Sequence, residues 1–182
     1  MEHPALGLAR NEVRLAPYHP AWKEEFQRIR ELIHTAIPQL DKQQIQHIGS
    51  TAIKGIQAKP VLDIALGVTH LEVEAHQYES ALRSIGFYRL KVERPDEIVF
   101  ARFRDSSFEI KTHFIHMLPY RSEHWQDMLF FRDYMNTHAA ARQEYEAVKK
   151  AFTKQKTEGI QEYTAHKEAY IQHIFQLRNA EQ

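Results

Sequence analysis

The chain has 182 residues, and its 24 Lys and Arg balance its 24 Asp and Glu, so no whole-molecule field draws it to nucleic acid or to an anionic membrane. With no cysteine it has no disulfide, thiolate zinc site or cysteine nucleophile, and the twelve histidines are numerous for this length. The length suits one domain over 1–182, the first ten residues lack a secretory signal, and no run approaches the roughly 20 apolar residues of a membrane helix, so a cytoplasmic protein is expected.

The stretch 11–17, NEVRLAP, reads as a first strand. It is followed by HPAWKEEFQRIRELIHTAIPQL, where Trp22, Phe26, Ile29, Ile33 and Ala36 recur at three and four. That spacing predicts an amphipathic helix opened by Pro20 and closed near Pro38. The period then changes: QQIQHIG and PVLDIALGV read as strands around a turn-rich 49–60, and 71–86 as a helix ending at Gly86. EIVFARFR and SFEIKTHFIHML, joined by the polar RDSS, predict an antiparallel hairpin. From 121 onward the pattern is helical. Ser122 is a simple N-cap candidate, and two further helices flank the Lys/Thr/Gly stretch 153–159. The order predicts an α+β fold, with helices packed on one face of a small sheet and a helical C-terminal third.

Within the strand at 60–68, Val61, Asp63, Ala65 and Gly67 share one face, and Leu62, Ile64, Leu66 and Val68 the other. The second face is wholly apolar and must be core, which leaves Asp63 facing a cleft or the surface. A carboxylate removed from water needs a partner, so Asp63 either pairs with Lys59 or an arginine or binds a ligand or metal. Upstream, Gly49-Ser50-Thr51 follows a strand. Gly allows close backbone approach, and the hydroxyls of Ser and Thr add donors suited to a phosphate, with Lys59 available to the same anion. No Gly-Lys-Ser/Thr follows at the spacing a P-loop requires.

A glycine-serine turn, about a dozen residues, then an aspartate in a strand looks like the signature of the nucleotidyltransferase superfamily. More closely, YHPAWKEEF (18–26), HIGSTAIKGIQAKPVLDI (47–64), THFIHML (112–118), LFFRDYM (129–135), YEAVK (145–149) and YTAHKEAYI (163–171) together resemble the GrpB family over nearly the whole chain. The resemblance implies a nucleotidyltransferase-like fold, with a small mixed sheet, flanking helices and a cleft between the Gly-Ser turn and the aspartate strand. It also implies that Arg132, Lys149 and Lys167 line that cleft opposite Asp63. The pairs Tyr145/Lys149 and Tyr163/Lys167, each four apart on a helix, equally suit solvated helix faces.

Nucleotidyl transfer uses divalent metal, commonly two ions held by alternating acids of one strand. The superfamily pattern Asp-x-Asp/Glu would place an acid at 65, where this chain has Ala65. Glu97 or Glu109 would have to replace it. In the last strand, Ile110, Thr112, Phe114, His116 and Leu118 alternate with Lys111, His113, Ile115 and Met117, so His113 and His116 point apart unless a bulge intervenes. Asp63, His116 and His47 form a candidate mixed nitrogen/oxygen metal site, which would favour zinc, manganese or nickel over magnesium; the cofactor expected for a transferase is magnesium or manganese, with zinc as the alternative.

The expectation is therefore a protein that binds a nucleotide or other phosphorylated small molecule through Gly49, Ser50, Thr51, Lys59, Arg132, Lys149 and Lys167. If there is turnover, Asp63 is the catalytic residue of a metal-dependent nucleotidyl transfer. The competing expectations are an inactive regulatory or ligand-binding module that keeps the fold, favoured by Ala65, and a histidine-based metallohydrolase acting on phosphoesters.

Overall fold

The computed structural model describes residues 6–10, 12, 14–92, 94–154 and 160–180, and the side chains of 152–166 and 179–180 lie outside that description. The elements run β1 (Leu8–Ala9), α1 (Ala21–Ala36), β2 (Ile45–Ile48), β3 (Leu62–Val68), α2 (Leu71–Ser84), β4 (Phe87–Arg89), β5 (Ile98–Phe103), β6 (Ile110–Pro119), α3 (Glu123–Thr137), α4 (Ala139–Lys154) and α5 (Ile160–Ala180). Among the described residues, no helix is long and apolar enough to cross a membrane.

The strands form one sheet in the order β2-β3-β6-β5-β4, with β1 also on β6. β3 and β6 are parallel, which sets Asp63 opposite Phe114 and Ala65 opposite His116. The other pairs are antiparallel, including the predicted β5–β6 hairpin. The sheet is thus mixed, and the α+β arrangement of a small sheet with flanking helices and a helical C-terminal third, expected from the sequence, is present.

The apolar side of β3 makes the main core. Leu62, Ile64, Leu66 and Val68 pack with Ile115 and Met117 of β6 against Phe26, Ile29 and Ile33 of α1 and Tyr78 and Leu82 of α2. Each side chain of that size, fully buried, contributes roughly 1.5–3 kcal/mol. The other side is covered as well, contrary to the expectation of helices on one face. Ile48, Ala65 and Leu118 meet Trp125 of α3, and Phe131, Tyr145 and Ile174 join the three C-terminal helices to Ile53 and Ile56. Gly67 permits that second layer, because a Cβ there would lie 2.5 Å from the Tyr120 ring. Ser122 caps α3 as predicted, accepting from Trp125 N at 3.2 Å.

Three local expectations change. The first strand is Leu8–Ala9 rather than 11–17; there, only Ala16 bridges, to Ala58, and residues 11 and 13 lie outside the described ones. β4 follows Gly86 directly, too short for an alternation to register. In β6 the register against β5 steps from His113 to Lys111, so Thr112 is an extra residue that breaks the alternation.

Candidate active-site cleft

Strand and turn meet at one point. Gly49 has φ +70°, and a Cβ on it would fall 2.5 Å from Asp63 Oδ2, so the carboxylate lies directly over the turn. Only glycine meets both demands without strain. The next residue, Ser50, points its Oγ 3.2 Å from the Tyr145 hydroxyl of α4, tying the turn to the helical layer.

Asp63 has a hydrogen-bonded partner, and it is neither Lys59 nor an arginine. His116 Nε2 lies 3.2 Å from Asp63 Oδ1, and His116 Nδ1 makes a short bond to Glu97 Oε1. Arg94 Nη1 donates to the other Glu97 oxygen at 2.5 Å. The Asp63 side chain is 32% exposed, that of Glu97 1% and that of Arg94 54%, so the four alternating charges run from the cleft through a buried carboxylate and out again to an exposed guanidinium. An imidazole with a carboxylate on each nitrogen is held doubly protonated. Burial opposes that charge, but the bonds to Asp63 and Glu97 outweigh it and carry His116 up to about 9. Burial likewise pushes Glu97 up, and His116 and Arg94 draw it down to about 2.

Beside this chain, a pocket of about 480 Å³ is lined by Arg10, Lys59, Lys111, Lys149 and Lys167, against only Glu12 and Asp63 as acids among the described residues. Lys149 is 1% exposed, donates to the Gln57 carbonyl and lies 4.6 Å from the Tyr145 ring centroid. Burial and the Lys167 charge depress it to about 7. Lys59 is lowered by the same two causes, partly offset by Asp63. A second pocket, about 690 Å³, opens on the other side of Ser50, Asp63 and Lys167 and is lined by Met128, Phe131, Ile171 and Phe175.

The structure thus brings together Gly49, Ser50, Asp63, His116, Lys59, Lys149 and Lys167. Three predicted residues go elsewhere. Thr51 is buried, with its hydroxyl 3.0 Å from His47 Nε2 and 3.4 Å from the Val61 carbonyl, so its donor is spent on the backbone. His47 pairs with Ile64 on the core face, where its ring stacks on Phe26 at 4.9 Å, and burial lowers it to about 4. Arg132 donates to Gln46 Oε1 and the His47 carbonyl at 3.0 and 3.1 Å, fastening α3 to the edge strand β2 rather than lining the cleft. Tyr163 lies outside the described side chains. Sequence reasoning missed the Arg94 cap, for which the Arg-Pro-Asp-Glu turn at 94–97 was the available signal, and Lys111, which the bulge at Thr112 moves to the side of Phe114.

The donor set does not suit a pair of divalent ions. Ala65 is fully buried between Ile48, Leu118 and Trp125, where a second acid would stand. Both Glu97 oxygens and both His116 nitrogens are engaged, and His47 is on the other face. Among the described residues, no three or more His, Asp or Glu side chains are arranged to hold a metal ion.

Three comparisons bear on this arrangement. The glutamate-rich protein GrpB of Alkalihalophilus pseudofirmus is 35% identical over 170 residues, covering 93% of this chain and 97% of its own. The crystal structure of the conserved protein GrpB from Enterococcus faecalis superimposes with TM-score 0.76 at 22% identity, covering 90% and 95% of the two chains. A MgGTP-bound structure of the Cid1 poly(U) polymerase matches in fold, with TM-score 0.51 at 14% identity over 74% of this chain and 43% of its own. With the GrpB protein family model matched over residues 12–177 as well, the chain belongs to the GrpB family.

Proposed function

We propose that the chain binds a nucleotide or another phosphorylated small molecule in the cleft between the sheet and the C-terminal helices. The observation that carries this reading is the convergence of five basic side chains on one pocket closed by Ser50 and Asp63. Like charges packed together and partly desolvated depress one another's pKa, as at Lys149 and Lys59, and an anion relieves that repulsion. The neighbouring apolar pocket gives the body of such a ligand somewhere to lie. In this reading the phosphate sits among Lys59, Lys149 and Lys167, with Ser50 as a hydroxyl donor. Asp63, fixed by His116, accepts from a ligand hydroxyl or amine.

Metal-dependent nucleotidyl transfer is the weaker reading. It needs further acids beside Asp63 on the sheet, and there Ala65 stands at the second position while Glu97 is committed to His116 and Arg94. A ligand-binding or regulatory module on the nucleotidyltransferase-like fold accords better with one carboxylate neutralised by an imidazolium. Calorimetric titration of the folded chain with ATP, GTP, CTP and UTP, with EDTA and then with Mg²⁺ or Mn²⁺, tests the reading. Saturable heat with at least one of them in EDTA is expected. Absence of heat with all four under every condition contradicts the binding, and heat that appears only with metal restores the transferase reading.

A further inference from the structure

The face of the sheet opposite Asp63 carries a second basic pocket, about 380 Å³, between α1 and the β5–β6 hairpin. Glu25 and Arg28 of α1, Arg102 of β5, Arg104 just beyond it, and Thr112 and His113 of β6 line it. Glu25 is the only carboxylate on its wall among the described residues, and that carboxylate is committed. Arg28 donates to its two oxygens at 2.7 and 2.8 Å, and His113 Nε2 lies 3.1 Å from Oε1. His113 Nδ1 is 2.9 Å from the Thr112 hydroxyl, and burial lowers its pKa, with the bond to Glu25 opposing. Arg104 gives one N–H to the Leu6 carbonyl at 2.9 Å.

Arg102 stands apart from these. Its side chain makes no hydrogen bond or ion pair with any described residue. It is half-buried, and burial and the nearby Arg28 charge lower it, with Glu25 offsetting only part. Among the described residues, three guanidiniums therefore share a pocket with one carboxylate, an excess of two positive charges in which one planar fork has no acceptor. The charge and geometry of a phosphate monoester dianion match that deficit, because guanidinium forks bind such oxygens in pairs.

We propose that this pocket is a second anion site, separate from the Asp63 cleft, that takes the dianionic group of a phosphorylated small molecule on Arg28, Arg102 and Arg104. The Glu25–His113 pair holds Arg28 in position, and Arg102 supplies the free fork. The chain then holds phosphate on both faces of its sheet, and a ligand here is placed to report to α1 and β6 without entering the cleft.

The test is a titration of the full chain with inorganic phosphate, followed by NMR of the arginine side-chain Nε–H groups and of the backbone amides. Saturable movement of the Arg102 signal is expected. Arg102→Gln is expected to weaken phosphate at this pocket at least about tenfold while leaving the shifts of Ser50 and Lys59 intact, since charge-assisted bonds are the strong ones. Its melting temperature without phosphate should not fall, because a repelling cation is removed. Should Arg102→Gln not fold, Arg104→Gln carries the same comparison. An Arg102 signal that stays still while the cleft signals saturate overturns the proposal, as does a folded variant that keeps full affinity at this pocket.

Discussion

Gly49, Asp63 and His116 are coupled by contact, so single changes there have calculable consequences. Gly49→Ala forces φ +70° on an L side chain and sets its Cβ against Asp63 Oδ2. A loss of about 1–3 kcal/mol in urea denaturation is expected, and an unchanged midpoint would contradict the close approach. For His116 the folded pKa of about 9 lies above the 6.5 of an ordinary imidazole, so the folded chain binds that proton more tightly. Its contribution is complete below pH 6.5 and is lost as pH rises through about 9. The stability gap between the unmodified chain and His116→Gln should therefore be widest near pH 6, on the order of 2 kcal/mol. It should narrow toward pH 9.5; a gap that stays constant with pH would mean that His116 is not held as a cation.

Helix α3 shows how an element can take a residue from the site that its sequence neighbourhood implied. Arg132 reaches Gln46 and the His47 carbonyl, and one turn on Asn136 brackets the strand-to-turn connection by donating to the Ala52 carbonyl and accepting from Lys54 N, both at 3.0 Å. α3 thus clamps the edge strand and the segment that carries Gly49 and Ser50. Arg132→Met should cost about 1–2 kcal/mol of stability through the lost bonds, yet leave ligand affinity within about twofold. Both are read by denaturation and calorimetry on the same variant. A large loss of affinity with stability intact would return Arg132 to the cleft.

Across the whole molecule, the cleft joins a sheet face to helices far along the chain, and its pH response follows from that union. Lys149, on α4, is held at about 7 by burial and by Lys167 of α5. An anion favours its charged form, so ligand binding takes up protons. Affinity for a nucleoside triphosphate should fall roughly tenfold between pH 6 and 8.5, and Lys149→Gln should flatten the profile. Calorimetry in buffers of different ionisation enthalpy would detect the proton uptake. A pH-independent affinity would remove Lys149 from the binding role.

The sequence by itself determined the elements whose pattern is strong and local: the α1 stripe, the apolar side of β3, the β5–β6 hairpin and the Ser122 cap. It also disclosed the pairing of a Gly-Ser turn with Asp63, because glycine and an isolated acid in an apolar strand have few local explanations. Only the tertiary structure decided the rest. The partner of Asp63 comes from β6, 53 positions away, through a parallel pairing that no local pattern specifies. Thr112 became a bulge, turning Lys111 into the cleft. His47 and Arg132 left the site because β2 pairs at the edge of the sheet, which sends one side chain into the core and draws the other to the exposed backbone. Alternation shows which residues share a face, whereas register and strand order decide which faces meet.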